Sequence, residues 1–161
     1  SGKKLQYFDP ELGESYVPYV VETSIGLDRM FLTVLSNSFH EEELENGESR
    51  VVLKIPAVLA PIKAAILPLT KKDGMPEKAR EIMKSLQIDF NCQYEEKDSI
   101  GKRYRRQDAI GTAFCITVDH QTLEDNTVTI RDRDTMKQER VTVDKLHAII
   151  TEKVNIAKYL A

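Results

Sequence analysis

The sequence predicts an α/β fold. Its main body is a mixed five-stranded sheet flanked by three helices, preceded by a separate strand-helix pair. Three observations carry this. From Ala64 onward, short β-rich apolar runs alternate with stretches of helical periodicity, in the order β-α-β-α-β-β-β-α. Strands alternating with helices imply right-handed parallel crossovers, and a closing hairpin adds antiparallel strands. A glutamate-rich stretch, His40–Glu48, separates that pattern from the earlier strand and helix. A boundary placed there divides the chain into residues 1–49 and 50–161.

Lys3–Glu14 is polar and irregular. Tyr16–Thr23, YVPYVVET, reads as a strand with Pro18 near its start or at an edge. Ser24-Ile25-Gly26 is a tight break. Leu27, Met30, Phe31, Val34, Leu35 and Phe39 then recur at helical spacing, so Leu27–Phe39 is expected to be a helix facing a core. Glu41, Glu42, Glu43, Glu45 and Glu48 crowd the next segment, which ends at Asn46-Gly47. Like charges repel, so a solvated loop is expected.

Arg50–Ile55 is a candidate strand. Pro56–Leu69 contains three prolines and is not one helix. Within it, Ala64–Leu69 reads as a buried parallel strand. Gly74-Met75-Pro76 opens a helix with proline in its first turn, and Ala79, Ile82, Met83 and Leu86 form the apolar stripe. Phe90–Glu96 is a second strand. Asp98 and Ser99 supply N-cap chemistry to a helix over Ile100–Ile110, and Gly111 suits a left-handed C-cap. Thr112–Val118 is a third strand. Asp125-Asn126 turns the chain into Thr127–Arg133, where Val128 and Ile130 face one way and Thr127, Thr129, Arg131 and Arg133 the other. Gln138–Val143 pairs back as a hairpin, and Asp144–Leu160 is a final helix.

Formal net charge is −3, so the molecule is not a nonspecific polycation, and any nucleic-acid contact must come from a local patch. Two cysteines support neither a disulfide framework nor a Cys-rich zinc site, and a reducing, cytoplasmic setting follows. His40, His120 and His147 have no ligand spacing, so no metal site is expected. No apolar run approaches the ~18 residues of a membrane span, so no membrane partner is expected.

The local patch is Lys102, Arg103, Arg105 and Arg106, four basic residues in five positions. On a helical projection Lys102, Arg105 and Arg106 lie opposite Ile100, Tyr104 and Ile110, with Arg103 towards the apolar side. Thr129, Arg131 and Arg133 add directional donors on one strand face. Splayed bases of an RNA loop are read by such donors and by stacking on guanidinium planes. The plain alternative is a solvated face, with Asp132 and Asp134 drawing some arginines into ion pairs.

Three segments, APIKAAILPL, SIGKRYRRQDAIGTAF and TVTIRDRDTMKQERV, together resemble the anticodon-binding domain of class II aminoacyl-tRNA synthetases, as found in the glycine, threonine, proline and histidine enzymes. Upstream, PYVVETSIGLDR (Pro18–Arg29) is similar to motif 3 of the class II catalytic domain. Its E-x-S-x-G-x-x-R form, at Glu22, Ser24, Gly26 and Arg29, resembles the dimeric glycyl-tRNA synthetases.

That resemblance implies that Glu22, Thr23, Ser24, Ile25 and Gly26 line a glycine pocket, while Gly26, Leu27, Asp28 and Arg29 border ATP. Glycine has no side chain to grip, so selection rests on its charged ends and on a tight pocket. Arg29 would offer its guanidinium fork to the triphosphate, with Mg²⁺ neutralising phosphate charge. Motifs 1 and 2 have no candidate upstream of Pro18, so the stretch is expected to be a C-terminal piece of a homodimeric, cytoplasmic glycine–tRNA ligase, catalytically inactive alone. Its main task would be recognition of the tRNA(Gly) anticodon through Lys102, Arg103, Arg106, Thr129, Arg131 and Arg133. Another class II synthetase of the threonine, proline or histidine type is disfavoured by ETSIGLDR. A non-catalytic RNA-binding accessory module is disfavoured by the intact Glu22, Ser24 and Arg29.

Overall fold

The structure, a computed structural model, describes residues 2–44 and 47–160. Glu45 and Asn46 of the acidic stretch therefore lie outside the described residues. The chain forms two compact units, Ser1–Phe31 and Leu32–Ala161.

In the first unit, β1 (Tyr7–Asp9) and β2 (Glu14–Tyr16) pair as a small antiparallel hairpin. The strand expected over Tyr16–Thr23 does not form: β2 ends at Tyr16, and residues 17–26 have no regular structure. A strand exists only as a paired element, and among the described residues nothing pairs with this segment. Tyr19, Val20 and Val21 consequently stay exposed.

Helix α1 (Leu27–Ser38) forms where the periodicity places it. Its apolar stripe does not face a core, however: Leu27 is 81% exposed and Phe31 65%, and only Ser38 is buried. Amphipathic spacing makes a helix but does not supply the surface that covers it.

The first part of the acidic stretch, up to Glu43, is a strand rather than a solvated loop, whereas Leu44, Gly47 and Glu48 lie outside any strand. β3 (Phe39–Glu43) pairs antiparallel with β4 (Ser49–Leu53), with Glu42 opposite Arg50. Glu42 accepts Arg50 Nε at 2.7 Å and also pairs with Lys54. Lys54, then Arg50, hold its carboxyl below the ordinary range against the opposing effect of burial. Opposite charge from the facing strand therefore compensates the repulsion visible in sequence.

The main sheet has the expected five strands: β5 (Ala64–Pro68), β6 (Cys92–Tyr94), β7 (Phe114–Val118), β8 (Thr127–Asp132) and β9 (Gln138–Thr142), in spatial order β6-β5-β7-β8-β9. β5 runs parallel to β6 and β7, and β7-β8-β9 are antiparallel. Its long helices are α2 (Met75–Leu86), α3 (Ile100–Ile110) and α5 (Leu146–Val154), the last shorter than the predicted Asp144–Leu160. A further short helix, α4 (His120–Asp125), is set by a capping box. Asp119 accepts the Thr122 amide at 3.1 Å while Thr122 Oγ1 accepts the Asp119 amide at 3.0 Å. Six residues are too few for periodicity to reveal it.

Ile66, Ile116, Val128 and Ile130 face one side of the sheet, packed with Met75, Ala79 and Ile82 of α2 and with Leu146 and Ile150 of α5. On the other side Ala65, Leu67 and Cys115 meet Ile100 and Tyr104 of α3. Gln138 and Arg140 on β9 remain exposed, and Thr127 and Thr129 on β8 half-buried. Among the described residues no helix is long and apolar enough to cross a membrane.

Candidate nucleic-acid interface

The buried face of α3 is polar: Arg103, Gln107 and Asp108. Ile110, placed on the apolar side by periodicity, is 45% exposed. Asp98 and Ser99 do not cap the helix with their side chains; Asp98 instead accepts Arg106 Nη1 at 2.9 Å. Gly111 does end it in the left-handed region, φ +81°.

Each buried polar group has a specific task. Arg103, 2% exposed, donates from Nη1 to the Pro68 carbonyl at 2.7 Å and to the Glu95 carbonyl at 3.2 Å, and from Nη2 to the Leu69 carbonyl at 3.3 Å. It thereby ties the carboxyl ends of β5 and β6 to α3. Gln107 accepts Thr112 Oγ1 at 2.6 Å. Asp108 receives Arg131 at 2.8 and 3.0 Å and Arg50 at 3.0 Å. Arg131, 4% exposed, also lies over the Tyr104 ring, 4.9 Å from its centroid. Burial acts to lower its guanidinium pKa, but the bonds to Asp108 outweigh that and the net shift is upward, so the charge is retained. Arg133, 3% exposed, donates to the Gly111 and Ile55 carbonyls at 2.9 and 2.8 Å and to Asp134 at 2.8 Å.

Of the six residues expected to meet RNA, Arg103 and Arg133 are therefore interior struts. Their donors satisfy buried carbonyls, a use that composition does not distinguish from RNA contact. Arg106 is exposed, but it donates to Glu95 Oε1 at 2.6 Å, Asp98 at 2.9 Å and the Lys97 carbonyl at 2.7 Å. Thr129 accepts Arg140 Nη1 at 3.3 Å.

Lys102 and Arg131 come together. An open groove of about 410 Å³ runs between α3, which contributes Gly101, Lys102, Tyr104 and Arg105, and the β8–β9 hairpin, which contributes Arg131, Met136 and Gln138; Glu48 closes it. Lys102 is exposed, and Arg105 reaches Glu48 at only 3.6 Å. Met136 holds a left-handed backbone, φ +57°, which a bulky residue adopts only where its surroundings require it. Tyr104, Met136 and Gln138 are absent from the sequence-based expectation for the site, and Arg105 belongs to the basic patch but not to the six residues expected to meet RNA. Gln138 was legible in principle, since it pairs with Arg131 across the hairpin and so shares its face. The groove offers cations at its rim, an aromatic ring and a fixed guanidinium at its floor, and amide donors from β9.

The motif 3 residues belong to the first unit. Glu22, Thr23, Ser24, Ile25 and Gly26 are exposed and outside regular structure, and Leu27, Asp28 and Arg29 are exposed in the first turn of α1. A Cβ at Gly26 would meet only Arg29 Cβ, at 3.8 Å. Among the described residues no three His, Cys, Asp or Glu side chains converge as a metal cage. Burial pushes the Cys92 thiol up to about 11 and Cys115 to about 12, so neither is a thiolate nucleophile near neutrality.

A family model described as the anticodon binding domain matches residues 63–153, which contain the whole groove apart from Glu48. The chain belongs to the anticodon-binding domain family. Over 154 residues, that domain included, it is 55% identical to a glycine–tRNA ligase of Clostridium tetani and 51% identical to that of Chlorobaculum tepidum, each alignment covering 96% of this chain and 33% of the relative. A glycine–tRNA ligase of Borrelia hermsii is 47% identical over 94% of this chain. The chain thus spans about a third of the length of the curated relatives it matches. The anticodon-binding fold is also that of the RNA-binding domain of a threonyl-tRNA synthetase from Cryptosporidium parvum, with TM-score 0.57 and 24% identity over 62% of this chain and 25% of that one.

Proposed function

We propose that the chain is the C-terminal part of a glycine–tRNA ligase. Residues 50–161 would be its anticodon-binding domain, and residues 1–49 the end of its catalytic domain with the acidic segment. The observation that carries the RNA half is the groove between α3 and the β8–β9 hairpin. Lys102 and Arg105 would take phosphates and set register, while Tyr104 and Gln138 face the loop bases over Arg131 at the groove floor. Thr129 and Arg140 extend the polar face beyond the groove.

In the full-length enzyme, glycine, ATP and tRNA(Gly) would be the substrates, and a cytoplasmic homodimer the working form. The donor set of Glu22–Arg29 fits its two small substrates: a carboxylate and a hydroxyl for an ammonium, a guanidinium fork for phosphate. Glu22 and Ser24 bind and orient the amino end of glycine, and Arg29 neutralises charge on the triphosphate as the glycine carboxylate attacks. Mg²⁺ would accompany ATP in the full-length enzyme and neutralise charge on its phosphates.

The test is a titration of the 161-residue chain against anticodon stem-loops carrying the glycine anticodon or a scrambled one, at two salt concentrations. Binding should be weak, fall with salt, and favour the glycine anticodon. Equal affinity for both loops would remove the anticodon reading.

A further inference from the structure

Asp108 is fully buried in α3, on the face that helical packing normally reserves for apolar residues. Two arginines from distant segments converge on its carboxylate. Oδ2 accepts Arg50 Nη1 at 3.0 Å, from β4. Oδ1 and Oδ2 accept Arg131 Nη1 and Nη2 at 2.8 and 3.0 Å, from β8. A buried charge triad gains little stability over well-packed apolar side chains, because desolvation offsets the attraction. What this one does supply is geometry. An arginine held at both terminal nitrogens and laid over Tyr104 at 4.9 Å has one orientation, and Arg131, 4% exposed, lines the groove from beneath.

We propose that Asp108 is the positioning residue of the groove. It fixes Arg131, and with it the Tyr104 ring that Arg131 packs against, at the floor of the groove that takes the RNA loop, and Arg50 supplies the second counter-charge from the β3–β4 hairpin. One carboxylate therefore holds the hairpin to α3 and also sets the guanidinium on β8. This rests on the RNA reading above and adds a residue that touches no RNA itself.

The experiment measures the ratio of glycine-anticodon to scrambled stem-loop affinity, with melting temperature alongside, for the 161-residue chain and three variants. Asp108→Asn should lower affinity for the glycine loop about tenfold and leave the scrambled loop within about twofold, so the ratio collapses. Asp108→Glu keeps the charge but displaces the guanidinium by one methylene; its ratio should fall as well, and it decides the matter if Asp108→Asn does not fold. Ile82→Val, in the core on the other side of the sheet, should lower the melting temperature while keeping the ratio. A folded Asp108 variant with the wild-type ratio overturns the inference. A wild-type chain with no preference between the loops overturns the RNA reading, and the inference with it.

Discussion

Arg133 Nη1 donates to the carbonyl of Gly111 at 2.9 Å, so the residue that ends α3 receives the arginine that follows β8. The same guanidinium reaches the Ile55 carbonyl at 2.8 Å, while the Arg133 carbonyl accepts Arg50 Nη1 at 3.2 Å. Arg133→Ala leaves two buried carbonyls without donors. We expect a loss of about 3 kcal/mol, read from denaturant unfolding, since each orphaned acceptor costs about 1–3 kcal/mol. A loss under about 0.5 kcal/mol would contradict the strut role.

Gly111 and Gly101 should respond to alanine in opposite directions. At Gly111 φ is +81°, and an added Cβ would lie 3.1 Å from the Leu53 carbonyl oxygen and 3.0 Å from Ile55 Cγ2. Gly111→Ala should cost about 2 kcal/mol or more. Gly101 sits in the first turn of α3 with open space around it. Gly101→Ala should leave stability unchanged or raise it by up to about 1 kcal/mol. Thermal melts of both variants check this.

Asp119 caps α4 and accepts Arg140 Nη2 at 2.9 Å. Arg140, and then Thr122, hold its carboxyl below the usual carboxylate range against the opposing effect of burial. A depressed native pKa means the contribution is present above the unfolded value, about 3.9, and is lost as pH falls through the native one. Asp119→Ala should cost about 1–2 kcal/mol at pH 7. The gap between wild type and variant should narrow in urea melts below about pH 4.

Lys102→Ala and Arg105→Ala should weaken both stem-loops alike and each reduce the salt slope by roughly 0.7, as expected for a single-strand phosphate contact. Arg106→Ala should change the slope less, because its guanidinium is already held by Glu95, Asp98 and the Lys97 carbonyl. A larger slope change for Arg106 than for Lys102 would shift the RNA surface towards the β6–α3 loop.

Arg29→Ala in the full-length ligase should slow glycine-dependent pyrophosphate exchange by on the order of 10²-fold while leaving tRNA affinity near wild type. The 161-residue chain alone should show no exchange above a buffer control. Unimpaired exchange in the variant would separate Arg29 from ATP.

What the sequence determined by itself is local and periodic. Alternation along Thr127–Arg133 placed Val128 and Ile130 on one face and Thr129 and Arg131 on the other, and the structure keeps that division. The unbroken apolar run around Ala64–Pro68 became a strand buried at every position. Gly111 was legible as a left-handed stop because so few residues tolerate that conformation. ETSIGLDR and the two downstream motifs pointed to the family because they are contiguous strings.

Only the tertiary structure decided what each charge is for. Arg103, Arg131 and Arg133 look alike in sequence, yet they end on the carbonyls of β5 and β6, on a carboxylate of α3, and on Gly111 and Ile55. Phe39–Glu43 became a strand with Arg50 and Lys54 reaching Glu42, while residues 17–23 stayed outside regular structure despite strong β propensity. The physical reason is the same in each case. Periodicity reports which side of an element a residue occupies, whereas the partner that satisfies a buried charge or an open strand edge comes from elsewhere in the chain, at a distance no local pattern encodes.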